Sequence, residues 1–172
     1  MTKETMIDIV RDYFDGEGFR YEYNAEGGFI RSGFGVKGPL DKVDMFCDFK
    51  SHGYLVYAIC PLHCKQEHLP ELIRYLTMAN YALVAGNFEV DVSDGEVRFK
   101  FWVPTEGLET LSKDIVEDSI MVPCSMMSRY GDGIAADTGN AIKGNRIDLC
   151  FATHNEALAW GIRNIPITVY PK

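Results

Sequence analysis

Four sulfur and nitrogen donors fall within the stretch CPLHCKQEH, 60 to 68: Cys60, His63, Cys64 and His68. Thiolate and imidazole are the ligands that zinc and similar borderline-soft ions prefer, so a metal- or redox-responsive sensor is one chemistry this stretch offers. Structural zinc sites usually bring two short ligand pairs separated by a longer loop, whereas four donors from one short peptide demand a tightly wrapped chain. The plainer expectation is that Cys60 ends a buried strand and the remainder connects it to a helix. On that expectation no cofactor is needed.

A second chemical possibility lies in GNFEVDVSDGEVRFKF, 86 to 101, where Glu89, Asp91, Asp94 and Glu96 crowd together. They could form an acidic reaction centre, a calcium loop or the outside of a hairpin. A calcium loop counted from Asp91 needs glycine at its sixth position, and Gly95 is fifth. Asp94-Gly95 is instead a strong two-residue hairpin signal, because glycine accepts positive φ and aspartate tolerates it. That turn predicts Val92 facing Val97, Val90 facing Phe99 and Phe88 facing Phe101 on one side. On the other side it sets Asp91 against Arg98, Glu89 against Lys100 and Asn87 against an exposed Trp102. Apolar pairs then bury one face while opposite charges pair on the other, and little acidity is left for catalysis.

Three weaker motifs resolve the same way. Gly33, Gly35 and Gly38 in GFGVKG satisfy a dinucleotide fingerprint by letter, but Pro39 and an alternating strand pattern follow where a helix is required. Asp137-Thr138-Gly139 is the aspartic-protease tripeptide, which needs a second carboxylate sharing its proton and a hydrophobic strand before it. Only alanines precede it here, so turn chemistry is the better account. His154 lies beside Asn155 and Glu156 with no recognisable nucleophile setting, and is expected at a helix start on the surface. No catalytic residue is assigned, and the chain is expected not to be an enzyme.

The elements that would position these residues follow from composition and periodicity. At 172 residues and 47% hydrophobic content the chain can fill one core without metal or disulfide support. A net charge of -8 would repel nucleic acid and anionic lipid. The N-terminus is charged, the longest apolar run is YLVYAIC, and five cysteines make an odd count; a cytoplasmic protein, bound neither to membrane nor to nucleic acid, is the expectation.

Met6, Val10, Tyr13 and Phe14 recur at helical spacing behind Thr2 or Thr5 as N-cap, and stop at Gly16 and Gly18. FRYEYN, GFIRSGFGV, VDMFCDFK and YLVYAIC then predict three or four antiparallel strands. Pro70 suits the first turn of a second helix, whose Leu69, Leu72, Ile73, Leu76 and Leu83 form an apolar stripe ending before Gly86. After the hairpin, Ser112 caps a third helix burying Ile115, Val116, Ile120, Met127 and Tyr130, with a kink or break expected at Pro123. YGDGIAADTGN, from Tyr130, reads as turns. RIDLCF, NEALAWGIR and IPITVY rebuild a strand, a helix and a strand. Residues 1–140 are therefore taken as one α+β domain, and 141–172 as a C-terminal extension packed on it or on a partner subunit.

The segment LPELIRYLTMANYALVAGNFEVDVSDGEVRFKF, 69 to 101, with Leu76, Asn80, Gly86, Phe88, Asp91, Asp94, Gly95 and Phe99, followed by SRY at 128 to 130, resembles the YbjN-type family, whose members are described as proposed regulators of bacterial sensory transduction. Such proteins look like type III secretion chaperones, in the order α-β-β-β-α-β-β-α. The resemblance implies an antiparallel sheet of about five strands with helices packed on it. It also implies a homodimer that binds other polypeptides or regulates a pathway, with no established chemistry of its own. Residues after 130 depart from it. An unexplained surplus of aromatics, among them Tyr54, Tyr57 and Tyr75, fits a contact surface, and Trp102, Tyr81 and Asn80 are the residues assigned to binding.

Overall fold

The structure is a computed structural model that describes residues 1–138. The chain divides into two units, Met1–Ala141 and Ile142–Lys172. The strands and helix expected in RIDLCF, NEALAWGIR and IPITVY, together with Cys150 and His154, lie outside the described residues.

The first helix, α1 (Lys3–Gly16), begins where Thr2 accepts the Thr5 backbone N–H at 3.2 Å, and it buries Met6, Ile7, Val10, Tyr13 and Phe14. Four strands follow: β1 (Tyr21–Asn24), β2 (Phe29–Gly35), β3 (Lys42–Lys50) and β4 (Gly53–Ile59). Next comes α2 (Leu69–Tyr81), then β5 (Asn87–Val90), β6 (Val97–Pro104) and α3 (Lys113–Asp137). All strand pairs are antiparallel, in the order β1-β2-β3-β4-β6-β5. The sheet thus has six strands where about five were expected. Four strands precede α2 because Tyr21–Asn24 pairs separately with β2.

Alternation along each strand sends one set of side chains into the core and the other set outward. On β3, Val43, Met45, Cys47 and Phe49 are buried while Asp44, Phe46 and Asp48 face the other way. The inward set joins the buried faces of α1, α2 and α3 in one cluster, so the helices cover a single face of the sheet. Tyr54, one of the surplus aromatics, is fully buried there and shares a hydrogen bond with Ser119 on α3 at 2.9 Å. Burial pushes its phenol well above the ordinary range.

α3 departs from expectation in three ways. It runs through Pro123 as one helix, with its N-cap at Ser112 as read from sequence; Ile115 is exposed rather than buried; and the run from Tyr130 is helical to Asp137 rather than turned. Gly131 and Gly133 explain the last point. A side chain at Gly131 would press on Leu40, and one at Gly133 would overlap the Tyr75 ring. Glycine costs about 1 kcal/mol in a helix interior, and here it leaves room for the Leu40 side chain and the Tyr75 ring. α2 is shorter than its stripe suggested: it stops at Tyr81, leaving Leu83 beyond the helix.

Candidate functional site

No helix among the described residues covers the outward face of the sheet. Register fixes its rows. One row across all six strands reads Glu22, Arg31, Phe46, Tyr57, Lys100 and Asn87. Its neighbours read Phe29, Asp48, Leu55 and Trp102 on one side, and Gly33, Asp44, Ile59, Arg98 and Glu89 on the other. Phe29, Phe46 and Tyr57 form a ladder with ring centres 4.9 and 6.5 Å apart. The Arg31 guanidinium lies over Phe29 and Phe46 at 5.4 and 5.5 Å, and that of Arg98 over Tyr57 at 4.6 Å. Such stacking holds each cation in place while leaving guanidinium edges able to donate. An open depression of about 1050 Å³ lies over this face, with Arg31, Gly33, Asp44, Phe46, Tyr57 and Arg98 among its lining residues.

Most of the four crowded carboxylates have structural employment. Glu89 accepts from Arg98 at 2.9 Å and from Lys100. Burial would raise its pKa, but hydrogen bonds from Lys100 and Arg98 outweigh that and hold it below 4.5. Asp91 accepts from the Ser93 backbone at 2.9 Å and hydroxyl at 2.6 Å, and the Ser93 bonds hold its carboxyl low. Asp94 accepts from the Glu96 backbone at 2.9 Å. Glu96 alone of the four reaches the depression, where it lies 3.7 Å from Arg98.

The hairpin register differs from the predicted one by two residues. Val90 faces Val97, Glu89 faces Arg98, Phe88 faces Phe99 and Asn87 faces Lys100, so Trp102 stands beside Leu55 of β4 instead of Asn87. Residues 91–96 form a longer loop that leaves Val92 exposed. The cause lies in the loop's own bonds and its seat. Two side-chain turns at Asp91 and Asp94 replace a tight two-residue turn. Gly95, at φ +80°, packs so closely on the Cys64 backbone that no side chain fits there. The Cys64 N–H donates to the Gly95 carbonyl at 2.8 Å, and Gln66 donates to the Val92 carbonyl at 3.1 Å.

The residues assigned to binding are not brought together. Trp102 is on the outward face and 43% exposed. Tyr81 ends α2 and is exposed. Asn80, its neighbour, is half-buried, and its amide donates to the Phe88 carbonyl at 3.0 Å while its oxygen accepts the Phe88 N–H at 2.7 Å. It therefore clamps the backbone of edge strand β5. Tyr75 donates to the Tyr130 carbonyl at 3.3 Å and packs inside, so of the quoted tyrosines only Tyr57 lies on the open face.

The four donors of residues 60–68 also separate. Cys60 and Cys64 are buried, and the Cys60 sulfur accepts the Leu62 N–H at 3.4 Å. His63 points to Asp94, with Nδ1 3.1 Å from its carbonyl, while His68 sits 3.5 Å from Glu67. Among the described residues, no three His, Cys, Asp or Glu side chains are grouped to hold a metal ion. Among them, too, no helix is long and apolar enough to cross a membrane. Sequence reading missed the arginine–aromatic ladder, because its members meet only through the cross-strand register; the alternation of β3 was the one signal that Phe46 faces out.

The protein resembles known chains in two separate ways. Residues 112–171 match the family model described as "3D domain". Two Bacillus subtilis proteins share a segment with the chain: "Cell wall-binding protein YocH", 36% identical over 61 residues, and "Putative cell wall shaping protein YabE", 39% identical over 61 residues. Each match takes in 34% of this chain, but 21% of YocH and 15% of YabE, so the chain spans about a fifth or less of these relatives. Among solved structures it is similar to "YbjN, a putative transcription regulator from E. coli", with a TM-score of 0.56 and 12% identity, over 72% of this chain and 86% of that one. The chain has the YbjN fold, as the hairpin resemblance implied. The 3D-domain match takes in α3 and the residues after Tyr130, which the YbjN resemblance had left unassigned.

Proposed function

We propose that the protein is a binding protein without catalytic chemistry, which homodimerises and recognises a polypeptide on the open face of its sheet. The observation that carries this reading is the ladder of Phe29, Phe46 and Tyr57 with Arg31 and Arg98 stacked upon it, on the sheet face that no helix among the described residues covers. Aromatic and arginine side chains are the residues on which binding energy concentrates in protein interfaces. The carboxylates that could have formed a reaction centre are held by Arg98, Lys100 and turn N–H groups, which supports binding over catalysis. The fold shared with a protein named as a regulator and the segment shared with a protein named as cell wall-binding point the same way.

Two measurements on the full chain test the reading. Light scattering should give twice the mass of one chain at micromolar concentration. A polypeptide that co-purifies with the wild type should be lost from Arg31→Glu and Tyr57→Ala while both variants keep the wild-type circular dichroism. A monomer, or co-purification indifferent to both substitutions, contradicts it.

A second reading, attachment to the cell wall, is favoured by the 3D-domain match over residues 112–171. Sedimentation of the full chain with purified cell walls tests it. Recovery in the pellet supports this reading, and a chain that stays in the supernatant contradicts it.

A further inference from the structure

β2 sends Arg31, Gly33 and Gly35 to the open face, and Arg31 and Gly33 line the depression. Neither glycine has positive φ, and a Cβ built at either meets nothing closer than 3.9 Å. The fold does not require glycine at these positions, and a β-branched residue would strengthen the strand. Glycine in a strand interior often marks a bulge, a bend or a place where a ligand or another backbone comes close, and here no positive φ or packing contact calls for it.

The walls beside this floor carry charges of both signs. Register sets Arg31 opposite Glu22 and Gly33 opposite Asp44. Among the described residues, the ion pairs on this face join Arg98 to Glu89 and Glu96, Lys100 to Glu89, and Lys50 to Asp48; Arg31, Glu22 and Asp44 take part in none. All three are exposed and line the depression. A polyanion would meet Glu22 and Asp44, and a polycation would meet Arg31; a ligand carrying both signs satisfies all three.

We propose that the depression takes an extended polypeptide segment of mixed charge, its backbone lying over Gly33, with an acidic side chain on Arg31 and a basic one on Asp44 and Glu22. This rests on the binding reading above and narrows it to one segment chemistry and one floor.

The test uses the full chain as bait for a display library of unstructured 12-residue peptides, followed by fluorescence anisotropy with the most enriched peptide. Enriched peptides are expected to carry both an acidic and a basic residue. Gly33→Val and Arg31→Glu should each weaken binding at least about tenfold, and Gly33→Val should keep or raise the thermal midpoint, which separates a blocked floor from a damaged fold. Replacing the peptide's acidic residue with lysine should restore binding to Arg31→Glu. Failure to enrich any peptide overturns both this proposal and the binding reading. Peptides of a single charge sign, or peptides that bind both variants as well as wild type but are lost from Tyr57→Ala, overturn this proposal and leave the binding reading in place; indifference to Tyr57→Ala as well overturns both.

Discussion

Asn80 holds Phe88 by both backbone groups at once: its amide nitrogen meets the Phe88 carbonyl at 3.0 Å and its oxygen meets the Phe88 N–H at 2.7 Å. The carboxamide thus stands where a seventh strand would pair with β5, and it fastens the end of α2 to the sheet edge. Asn80→Ala leaves two half-buried backbone groups unpaired. The expected loss is ~1–3 kcal/mol, read as a lower denaturant midpoint with an unchanged slope. A variant as stable as wild type would show that the clamp is incidental.

Gly95→Ala should cost more than its single methyl group suggests. The residue combines φ +80° with a Cβ position occupied by the Cys64 backbone, so both strain and overlap apply. A loss of ~1–3 kcal/mol follows from the backbone conformation alone. Gly107, which has a similar φ of +77° but open space around it, should lose less on the same substitution, and equal losses in the two variants would remove the overlap from the account.

The buried thiols should be silent near neutral pH. Burial pushes Cys47 up to about 12, with Cys124 nearby adding to the shift, and pushes Cys124 to about 12 and Cys60 to about 11, from an ordinary value of 9.0. A thiol-specific dye at pH 8 should leave these three unmodified until the protein is unfolded. Because their pKa values are raised on folding, the stability they carry is complete below pH 9 and is lost as pH climbs toward 12. Rapid modification of Cys60 in the native state would contradict its placement.

Glu89 gives the opposite limb. Its pKa is lowered in the folded chain, so its contribution is present above pH 4.5 and lost as pH falls through the lowered value. Glu89→Gln should therefore flatten the fall in thermal midpoint between pH 5 and pH 3, and an unchanged acid limb would move the effect to other carboxylates.

The sequence placed α1, the strands before α2, and α3's N-cap at Ser112 where they are found, because periodicity and capping residues are local signals. The hairpin register was not legible for a physical reason. A slip of two residues keeps every side chain on its face, so Val90 and Phe88 stay inside and Glu89 still meets a cation in either register. The side-chain turns at Asp91 and Asp94 together with the seat of Gly95 against Cys64, a contact between segments distant in the chain, select the longer loop. The helical Gly131 and Gly133 were misread as turns for the same kind of reason, since the packing of Leu40 and Tyr75 against them comes from distant segments. The open face was half visible: Trp102 and Tyr57 were named, but Arg31 draws its meaning from Phe46, its neighbour across the sheet.

The proposed binding takes place on the sheet face that no helix among the described residues covers. Amide-shift mapping by nuclear magnetic resonance, on the full chain titrated with its selected 12-residue peptide, tests it most directly. The largest shifts are expected on Arg31, Gly33, Asp44 and Phe46 of β2 and β3. Shifts confined to the end of α2 around Asn80 and Tyr81, with those four amides unmoved, would contradict it.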